Sequence, residues 1–354
     1  MSMRFLRYMK QLTDEKRTGI IILIAACLLI LAAAVSCCLG SADIGLGTVV
    51  KYLFGIRDGI DSSSAIILGK VRFPRVIMAC LIGGSLAGIG SVMQGLFKNP
   101  MADPSILGVS SGSAFGAALV IVLNLDFAFW GLSGNYIGAL LGAAVTWALV
   151  YFISRMSGEY DLTSVLLAGL AISSVMSALI TLLMTLHRES MEQVYMWMLG
   201  TFSNSTIPKT IVMGIVCAIS IVLLVLLAPR IDILKLGTEV ATTMGIKVKS
   251  TVGVIFGICS VLLAFCVANS GVIGFVGLII PHCVGFMGVT KSRPKLILSF
   301  IVGALFTVVC DTIAKTIAAP SELAVGAVTS IIGAPYFLFL LMRSLYLKRR
   351  EDGN

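Results

Sequence analysis

The stretch KVRFPRVIMACLIGG, residues 70–84, opens an apolar run that continues to residue 97 and carries three cations at its start. A run of this length matches the about 20 helical residues that cross a bilayer core. Similar runs recur along the 354 residues, of which 58% are hydrophobic and only 12% charged. A soluble protein of this length needs more polar surface. The composition therefore predicts an all-α polytopic membrane protein. The sequence lacks the alternation of apolar and polar residues that is typical of an outer-membrane barrel.

The apolar runs predict about ten transmembrane helices. The predicted spans are residues 18–39, 73–97, 107–125, 135–156, 162–187, 208–229, 250–269, 272–289, 296–318 and 322–346. Lys and Arg concentrate in the segments that are cytoplasmic if the N-terminus is inside, so the positive-inside rule favours an N-in, C-in orientation. Residues 1–354 then form one transmembrane domain with a basic cytoplasmic N-terminus (1–17), a cytoplasmic loop (230–249) and a cytoplasmic tail (347–354).

The cations that begin the second span break this charge rule. Lys70, Arg72 and Arg75 lie at the outer end of that span in the N-in orientation, where few cations are expected. Orientation is set by the whole chain, so these cations need an explanation other than topology.

Several chemistries have no support in the sequence. There is no G-x-x-x-x-G-K-[ST] phosphate loop, no H-E-x-x-H, no G-x-S-x-G and no cluster of paired carboxylates. The nine cysteines show no C-x-x-C metal spacing, and the two histidines are far apart. No aromatic-basic cluster points to nucleic acid, and the net charge of +9 reflects cytoplasmic cations. We therefore expect no catalytic residue, no metal site and no cofactor.

The loop 230–249 is too polar to span a membrane. Gly237-Thr238-Glu239 predicts a turn, an N-cap and an acidic first helical position, and Gly245 suits a left-handed C′ position. A short capped helix here is either a connector or a knob that fits a partner's groove, and the residues alone leave both open.

The segment GLFKNPMADPSILGVSSGSAFG, residues 95–116, predicts a tight inner loop. Residues before proline avoid the helical region, so the preceding helix should end near Asn99, and Ser105 can cap the next one. The Gly/Ser run at 108–116 predicts either close helix packing or the lining of a substrate path. A further segment, residues 192–204, could form a short interfacial helix on the outer side.

Two ionisable residues interrupt the ninth span. Asp311 and Lys315 are four residues apart, so they share one face of a helix. Ionisable residues inside a membrane are expensive and usually functional. The spacing leaves open an ion pair that stabilises packing, a lysine that reaches to the outer surface, and the coupling pair of an ion-driven secondary transporter.

Five stretches together resemble the FecCD-type permease family. They are RFPR (72–75), MQGLFKNPMADPSILGVSSG (93–112), LGTEVATTMG (236–245), GFVGLIIPH (274–282) and SELAVGAVTSIIGAPYFLFLL (321–341). Members of the family are the membrane subunits of type II ABC importers for iron-siderophore complexes, haem and cobalamin. The resemblance implies a ten-helix bundle in the plasma (inner) membrane of a bacterium. It also implies a second permease subunit in a homodimer, two copies of a cytoplasmic ATP-binding subunit and one extracytoplasmic substrate-binding protein.

The resemblance also implies roles for individual residues. Arg72, Arg75 and Lys315 would dock the binding protein. The element that couples to the ATPase would contain Gly237, Glu239, Ala241, Met244 and Gly245. The inner gate would contain Asn99, Met101, Leu162 and Thr163.

The function expected from the resemblance is transport without chemistry in this chain. The chain would be the permease of an ATP-driven importer for an iron(III)-siderophore complex, with haem or cobalamin as alternatives. The rival from another class is the secondary transporter that uses Asp311 and Lys315. A channel is disfavoured because no charged ring or filter-like stretch is present.

Overall fold

A computed structural model describes residues 2–40, 42, 44–56, 59–125, 127–129, 131–156 and 162–352, without the side chains of residues 2–15, 155, 162, 340, 341 and 343–352. The described chain is almost entirely helical. Its α-helices are α1 Ser2–Cys38, α2 Leu46–Leu53, α3 Ser62–Ile67, α4 Phe73–Leu96, α5 Val109–Val122, α6 Gly134–Met156, α7 Leu162–Leu186, α8 Met191–Met198, α9 Ile207–Leu234, α10 Thr238–Thr243, α11 Val248–Ser270, α12 Val276–Phe286, α13 Ser292–Thr316 and α14 Val325–Asp352.

Short irregular elements complete the fold. A π-helical turn, Leu68–Arg72, joins α3 to α4, and 3₁₀ turns lie at Pro104–Leu107 and Arg188–Ser190. Two-residue strands, β1 Ala128–Phe129 and β2 Leu132–Ser133, pair antiparallel between α5 and α6.

The helices confirm the predicted all-α membrane fold but not the count of ten complete crossings. Seven helical segments in the described chain are long and apolar enough to span a bilayer. The third, eighth and tenth predicted spans correspond to the shorter apolar helices Val109–Val122, Val276–Phe286 and Val325–Phe339. The eighth is short because residues 271–275 before it are not helical.

Helix α4 is the centre of the bundle. It is buried over most of its length and packs against α9, α12 and most extensively α13. A Cβ atom at Gly83 would collide with the Gly303 carbonyl and the Thr307 side chain, so glycine is what permits this close crossing. Helices α5 and α6 approach in the same way, since glycines 112 and 116 face glycines 138 and 142 backbone to backbone. Of the two roles left open for the Gly/Ser run at 108–116, close helix packing is therefore the one seen at Gly112 and Gly116.

The ends of the helices meet in two groups. Ser36 of α1, Arg75 of α4 and Lys315 of α13 lie together at one end of the bundle, which we call the outer end. Lys235 of α9 contacts Ser292 of α13 at the other, inner end. Antiparallel α4 and α13 thus connect the two ends, in agreement with the alternation that the predicted topology requires.

Two predicted caps are displaced by a few residues. Gly237, with φ 125°, is the N-cap of α10, so Thr238 is the first helical residue and not the cap. Only glycine adopts that φ without strain, which moves the cap one position back. Asp103, not Ser105, caps the turn before α5, and its carboxylate accepts the Ser105 N–H at 2.8 Å. Gly245, with φ 81°, occupies the left-handed position expected of it.

The predicted outer segment 192–204 contains a real but shorter helix. Helix α8 ends at Met198, and Gly200, with φ 80°, turns the chain away. Whether α8 lies at the membrane surface stays a prediction.

Candidate functional site

Arg75 is the central residue of the outer end. Its side chain is only 7% exposed and forms ion pairs with two carboxylates from the far end of the chain. The Nε and Nη2 atoms donate to Asp311 at 3.0 and 2.9 Å, and Nη1 donates to Glu322 at 2.7 Å. The planar guanidinium can hold both carboxylates at once, which an ammonium group cannot do with the same geometry.

The backbone before Arg75 has an unusual form that follows from the sequence. Pro74 has no N–H, so the carbonyl four residues earlier loses its helical donor. The chain forms the π-turn Leu68–Arg72 just ahead of it, and the Phe73 N–H bonds to the Leu68 carbonyl. Turns of this kind are frequent at functional sites, and this one directs Arg72 toward the end of α1.

Arg72 and Lys315 bind main-chain carbonyls where α1 ends. Arg72 Nη1 donates to the carbonyls of Cys37 (2.6 Å) and Cys38 (2.8 Å), and Nη2 donates to that of Ala42. Lys315 Nζ donates to the carbonyl and hydroxyl oxygens of Ser36, at 2.6 and 3.0 Å. The last carbonyls of a helix carry partial negative charge, so they are suitable partners for buried cations.

The three cations line one cavity. A pocket of about 240 Å³ is bordered by Arg72, Arg75 and Lys315, together with Glu322 and Pro320. We call these three cations the outer cation cluster. With Asp311 behind them, the group holds three positive and two negative side chains.

This geometry corrects one expectation and qualifies another. Asp311 and Lys315 do not form the ion pair that their spacing suggested, because Arg75 takes the carboxylate and Ser36 takes the ammonium. The side chains predicted to dock a partner are brought together as expected. Each is only 6% exposed, however, so they form the walls of a recess and not a raised surface patch.

A second outer cavity adjoins the first. It has a volume of about 420 Å³ and shares Glu322 with the cationic pocket. Its other polar lining residues are uncharged: Asn135, Gln193, Thr201, Ser203 and Asn204. Backbone bonds tie this wall to the rest of the outer end, since the Val325 N–H donates to Gly200 O and the Leu323 N–H to Ala314 O.

Helix α7 carries a row of exposed hydroxyls that the sequence analysis did not single out. Ser174, Ser177, Thr181 and Thr185 recur at helical spacing, and all four are exposed. Three of the hydroxyls donate to carbonyls one turn earlier, at 2.8 to 3.0 Å. Polar positions on a spanning helix ordinarily face protein or water and not lipid. The 3.6-residue recurrence of Ser and Thr between 174 and 185 is the signal that could have found them.

At the inner end, α10 divides its predicted coupling residues between two faces. Ala241 is fully buried against the bundle, whereas Glu239 and Met244 are exposed. Two further apolar side chains are exposed here: Val240 on α10 (43% exposed) and Leu236 (66%), which precedes the N-cap Gly237. Prediction from the sequence missed Leu236 and Val240 as surface residues. An apolar row on a cytoplasmic helix is suited to enter a partner's groove.

A polar junction fixes the chain just before α10. Asp232 accepts the Ser292 N–H at 3.0 Å, the Ser292 hydroxyl at 2.7 Å and the Lys235 ammonium at 2.9 Å. Lys235 also donates to the Ser292 hydroxyl at 2.7 Å, and its stem lies beside Gly95 of α4. The junction therefore joins the ends of α4 and α9 to the start of α13.

The predicted inner-gate residues are not joined by hydrogen bonds among their described side chains. Asn99 is exposed, and its side chain accepts the Met101 N–H at 2.9 Å, which shapes the tight loop after α4. Thr163 is exposed near the start of α7, and the backbone of Leu162 begins that helix. Helix α7 meets the 3₁₀ turn after the loop at Gly169, where a Cβ would strike the Ile106 carbonyl.

One family of transport proteins matches most of this chain. The profile of the FecCD transport family matches residues 28–343, which include both outer cavities, α7, α10 and the inner junction. The chain belongs to the FecCD transport family.

Permeases named for several different cargoes resemble it. The cobalamin import permease BtuC of Halobacterium salinarum is 34% identical over 82% of this chain and 78% of its own length. The hemin transport permease HmuU of Yersinia pestis is 34% identical over 77% of this chain and 82% of its own. The Fe(3+)-citrate import permease YfmE of Bacillus subtilis is 31% identical over 94% of this chain and 98% of its own.

A solved structure shares the FecCD architecture. It is assigned to a metal-chelate type ABC transporter in an inward-facing conformation. It is 29% identical, has a TM-score of 0.81 and covers 92% of this chain and 99% of its own.

The protein is therefore a multi-pass inner-membrane permease of a type II ABC importer for iron-siderophore complexes, haem or cobalamin. As a FecCD permease it is a transport subunit and not an enzyme, and a separate subunit hydrolyses ATP. The family also implies a substrate-binding protein and a second permease. The rival secondary-transport prediction is wrong, and Asp311 is a structural partner of Arg75.

Proposed function

We propose that this permease carries an iron(III)-siderophore complex delivered from outside the membrane. The observation that supports it is the likeness to an Fe(3+)-citrate import permease along 94% of this chain and 98% of that permease. The uncharged hydroxyl and amide groups of the 420 Å³ cavity fit this cargo, because they can hydrogen-bond a hydrophilic chelate and then release it.

A comparison of uptake of different cargoes tests the proposal. The permease is reconstituted with its ATPase and binding protein, and ATP-driven uptake of ⁵⁵Fe-hydroxamate, ⁵⁵Fe-citrate, haem and cobalamin is measured separately. We expect uptake of a ferric chelate and none of haem or cobalamin. Uptake of haem or cobalamin with no iron uptake would replace the proposed cargo and leave the importer assignment intact.

For the outer cation cluster, we propose that it receives acidic side chains of the binding protein. The cavity supports this, because it opens at the outer end and is lined by three cations. Glu322, whose side chain is 40% exposed, is the accessible partner of Arg75, so an incoming carboxylate can take its place. Charge at such a site chiefly sets the rate and orientation of docking.

For the assembly, we propose a homodimer with two ATPase subunits that bind the exposed apolar residues at α10, Leu236, Val240 and Met244. The hydroxyl row of α7 then faces the second permease across a water-filled path, and the loop of Asn99 and Met101 with the start of α7 forms its inner gate. Two observations support this arrangement: the row is polar, and it is left uncovered by the single chain.

The row on α7 can be tested without changing its shape. Thr181→Val removes the hydroxyl and keeps the side-chain volume, whereas Thr181→Ser keeps the hydroxyl and is the matched control. We expect the valine variant alone to slow uptake at unchanged ATP hydrolysis. Equal uptake by both variants would remove Thr181 from the proposed path.

A further inference from the structure

Helix α2 has three distinct faces. At about 100° per residue, Val49 and Tyr52 fall on one side, Gly47 and Lys51 on a second, and Leu46, Val50 and Leu53 on a third. The first face packs on the protein, where Val49 is 1% exposed. The second is polar or small, and it is exposed.

The third face is apolar and uncovered. Leu46 is 55% exposed, Val50 43% and Leu53 60%, and Phe54 just after the helix is 79% exposed. If this face met only water, the exposure of four large apolar side chains would be unfavourable in free energy. A helix with one face on the protein, one exposed apolar face and one polar face has the pattern of a helix that lies at a membrane surface.

The position of α2 along the bundle agrees with this reading. Tyr52 stacks on Phe73, the first residue of α4, with ring centroids 5.5 Å apart. The 24 residues of α4 rise about 35 Å from there to the inner end, slightly more than the hydrocarbon thickness of about 30 Å. Helix α2 therefore lies at the level of the outer headgroups.

The exposed face of α2 also continues a lipid-facing stripe. Helix α1 is largely uncovered by protein, and Leu31, Val35 and Leu39 are exposed in succession toward its outer end. Helix α2 packs beside that end, so its apolar face extends the same surface. Lys51 at the polar edge of α2 can reach lipid phosphates, as long cationic side chains do at membrane surfaces.

We propose that α2 is an interfacial helix that inserts Leu46, Val50, Leu53 and Phe54 into the outer leaflet of the phospholipid bilayer. The contact with lipid sets the depth of the outer cation cluster. Tyr52 transmits it, because its hydroxyl lies directly against Gly69 in the π-turn that carries Arg72. This role is independent of which cargo the permease transports.

Quenching of single added tryptophans tests the proposal. Leu53→Trp places an indole on the apolar face, and Lys51→Trp, two residues away and also exposed, is the matched control. The full chain is reconstituted alone in phosphatidylcholine with or without bromine at carbons 6 and 7. The signal of the three native tryptophans is subtracted with the unsubstituted protein.

The expected result is opposite behaviour of the two variants. The added emission of Leu53→Trp should be quenched by brominated lipid and not by aqueous acrylamide. The added emission of Lys51→Trp should be quenched by acrylamide and not by brominated lipid. Acrylamide quenching of both, without lipid quenching at position 53, would overturn the proposal. Phe54→Trp, at the most exposed apolar position, gives the same readout if Leu53→Trp does not fold.

A partner protein on this face would give a different pattern. Position 53 would then be open to acrylamide in the permease alone and protected only after the binding protein or ATPase is added. That result would also contradict the lipid contact.

Discussion

The Arg75 guanidinium and the Asp311 carboxylate, 236 residues apart in the chain, form a three-bond ion pair in which both side chains are buried. The pair joins the start of α4 to the last turns of α13, the two helices with the most extensive contact in the described bundle. The arginine of the RFPR stretch therefore holds the outer end of the bundle together in addition to its proposed part in docking.

Asp311→Asn should destabilise the permease. The change leaves the buried Arg75 with Glu322 as its remaining carboxylate, and breaking a buried ion pair from one side costs on the order of 3 kcal/mol. We expect a clear fall in the Tm of the purified protein in detergent. Asp61→Asn, which removes a charge at the exposed N-cap of α3 but keeps a capping oxygen, is the control and should change the Tm little. Equal Tm values for both variants and the unsubstituted protein would contradict the role of the pair.

Glu322→Gln should strengthen docking of the binding protein. The change removes the resident carboxylate that occupies Arg75 Nη1 at 2.7 Å, so an incoming acidic side chain meets less competition. We expect a faster association rate and a lower Kd in surface binding at low salt, with the difference shrinking as salt rises. Glu189→Gln, in the outer 3₁₀ turn, is the control for lost negative charge.

The same geometry decides which docking variants can be interpreted. Replacing Arg75 by Glu would place three carboxylates together at a buried site, so lost docking would not be separable from lost folding. For Glu322→Gln, an affinity for the binding protein equal to that of the unsubstituted permease would show that Glu322 does not compete with the binding protein for Arg75.

Met244→Asp should separate the permease from its ATPase. The side chain is 58% exposed on α10, so a carboxylate there does not disturb the fold but opposes insertion into an apolar groove. Loss of one central apolar contact costs about 2 kcal/mol, roughly thirtyfold in Kd. Co-purification with the ATPase measures it. Thr242→Asp, on the opposite side of the helix, should co-purify normally, and an equal loss for both would argue against a specific apolar face.

Breaking α10 itself is a harsher test of the same element. Ala241→Pro removes the N–H that bonds to the Gly237 carbonyl at 3.0 Å, and it should uncouple ATP hydrolysis from uptake. Normal ATP-driven uptake by this variant would exclude a coupling role for α10.

Asp232→Asn should loosen the inner junction. The carboxylate accepts three hydrogen bonds but is 38% exposed, so we expect a loss of only about 1 kcal/mol after allowing for solvent screening. The larger effect should be functional: fewer cargo molecules taken up per ATP, because the segment before α10 is no longer fixed to α13. Ser292→Thr keeps the hydroxyl and is the matched control. An unchanged ratio of uptake to hydrolysis in Asp232→Asn would show that the junction serves stability alone.

Sequence reasoning found the elements more reliably than their partners. Apolar length located the helices, and the Gly/Ser run at 108–116 indicated a closely packed helix, because both depend on neighbours in sequence. The partner of Asp311 could not be found that way, since the helical spacing that suggested Lys315 describes shared faces and not which distant helix packs on them. The exposed row on α10 was missed for the same reason, because burial of Ala241 is decided by the bundle beneath it.

The family resemblance grouped three cations that the structure places together, but it could not show how deeply they are buried. Arg72, Arg75 and Lys315 do meet at one cavity. Their burial depends on the carbonyls at the end of α1 and on Glu322, and no motif in the sequence assigned these partners to them.

Glu322 lines both the 240 Å³ and the 420 Å³ cavity, so one side chain is able to couple their occupants. A ligand that draws Glu322 away from Arg75 in one cavity changes the free energy of occupancy in the other, and the reverse effect must have the same size. Under the proposed function, cargo in the 420 Å³ cavity and a carboxylate of the binding protein in the 240 Å³ cavity would therefore affect each other through this one side chain. The coupling would be measured as a difference between the affinity of the permease for the empty binding protein and its affinity for the cargo-loaded binding protein.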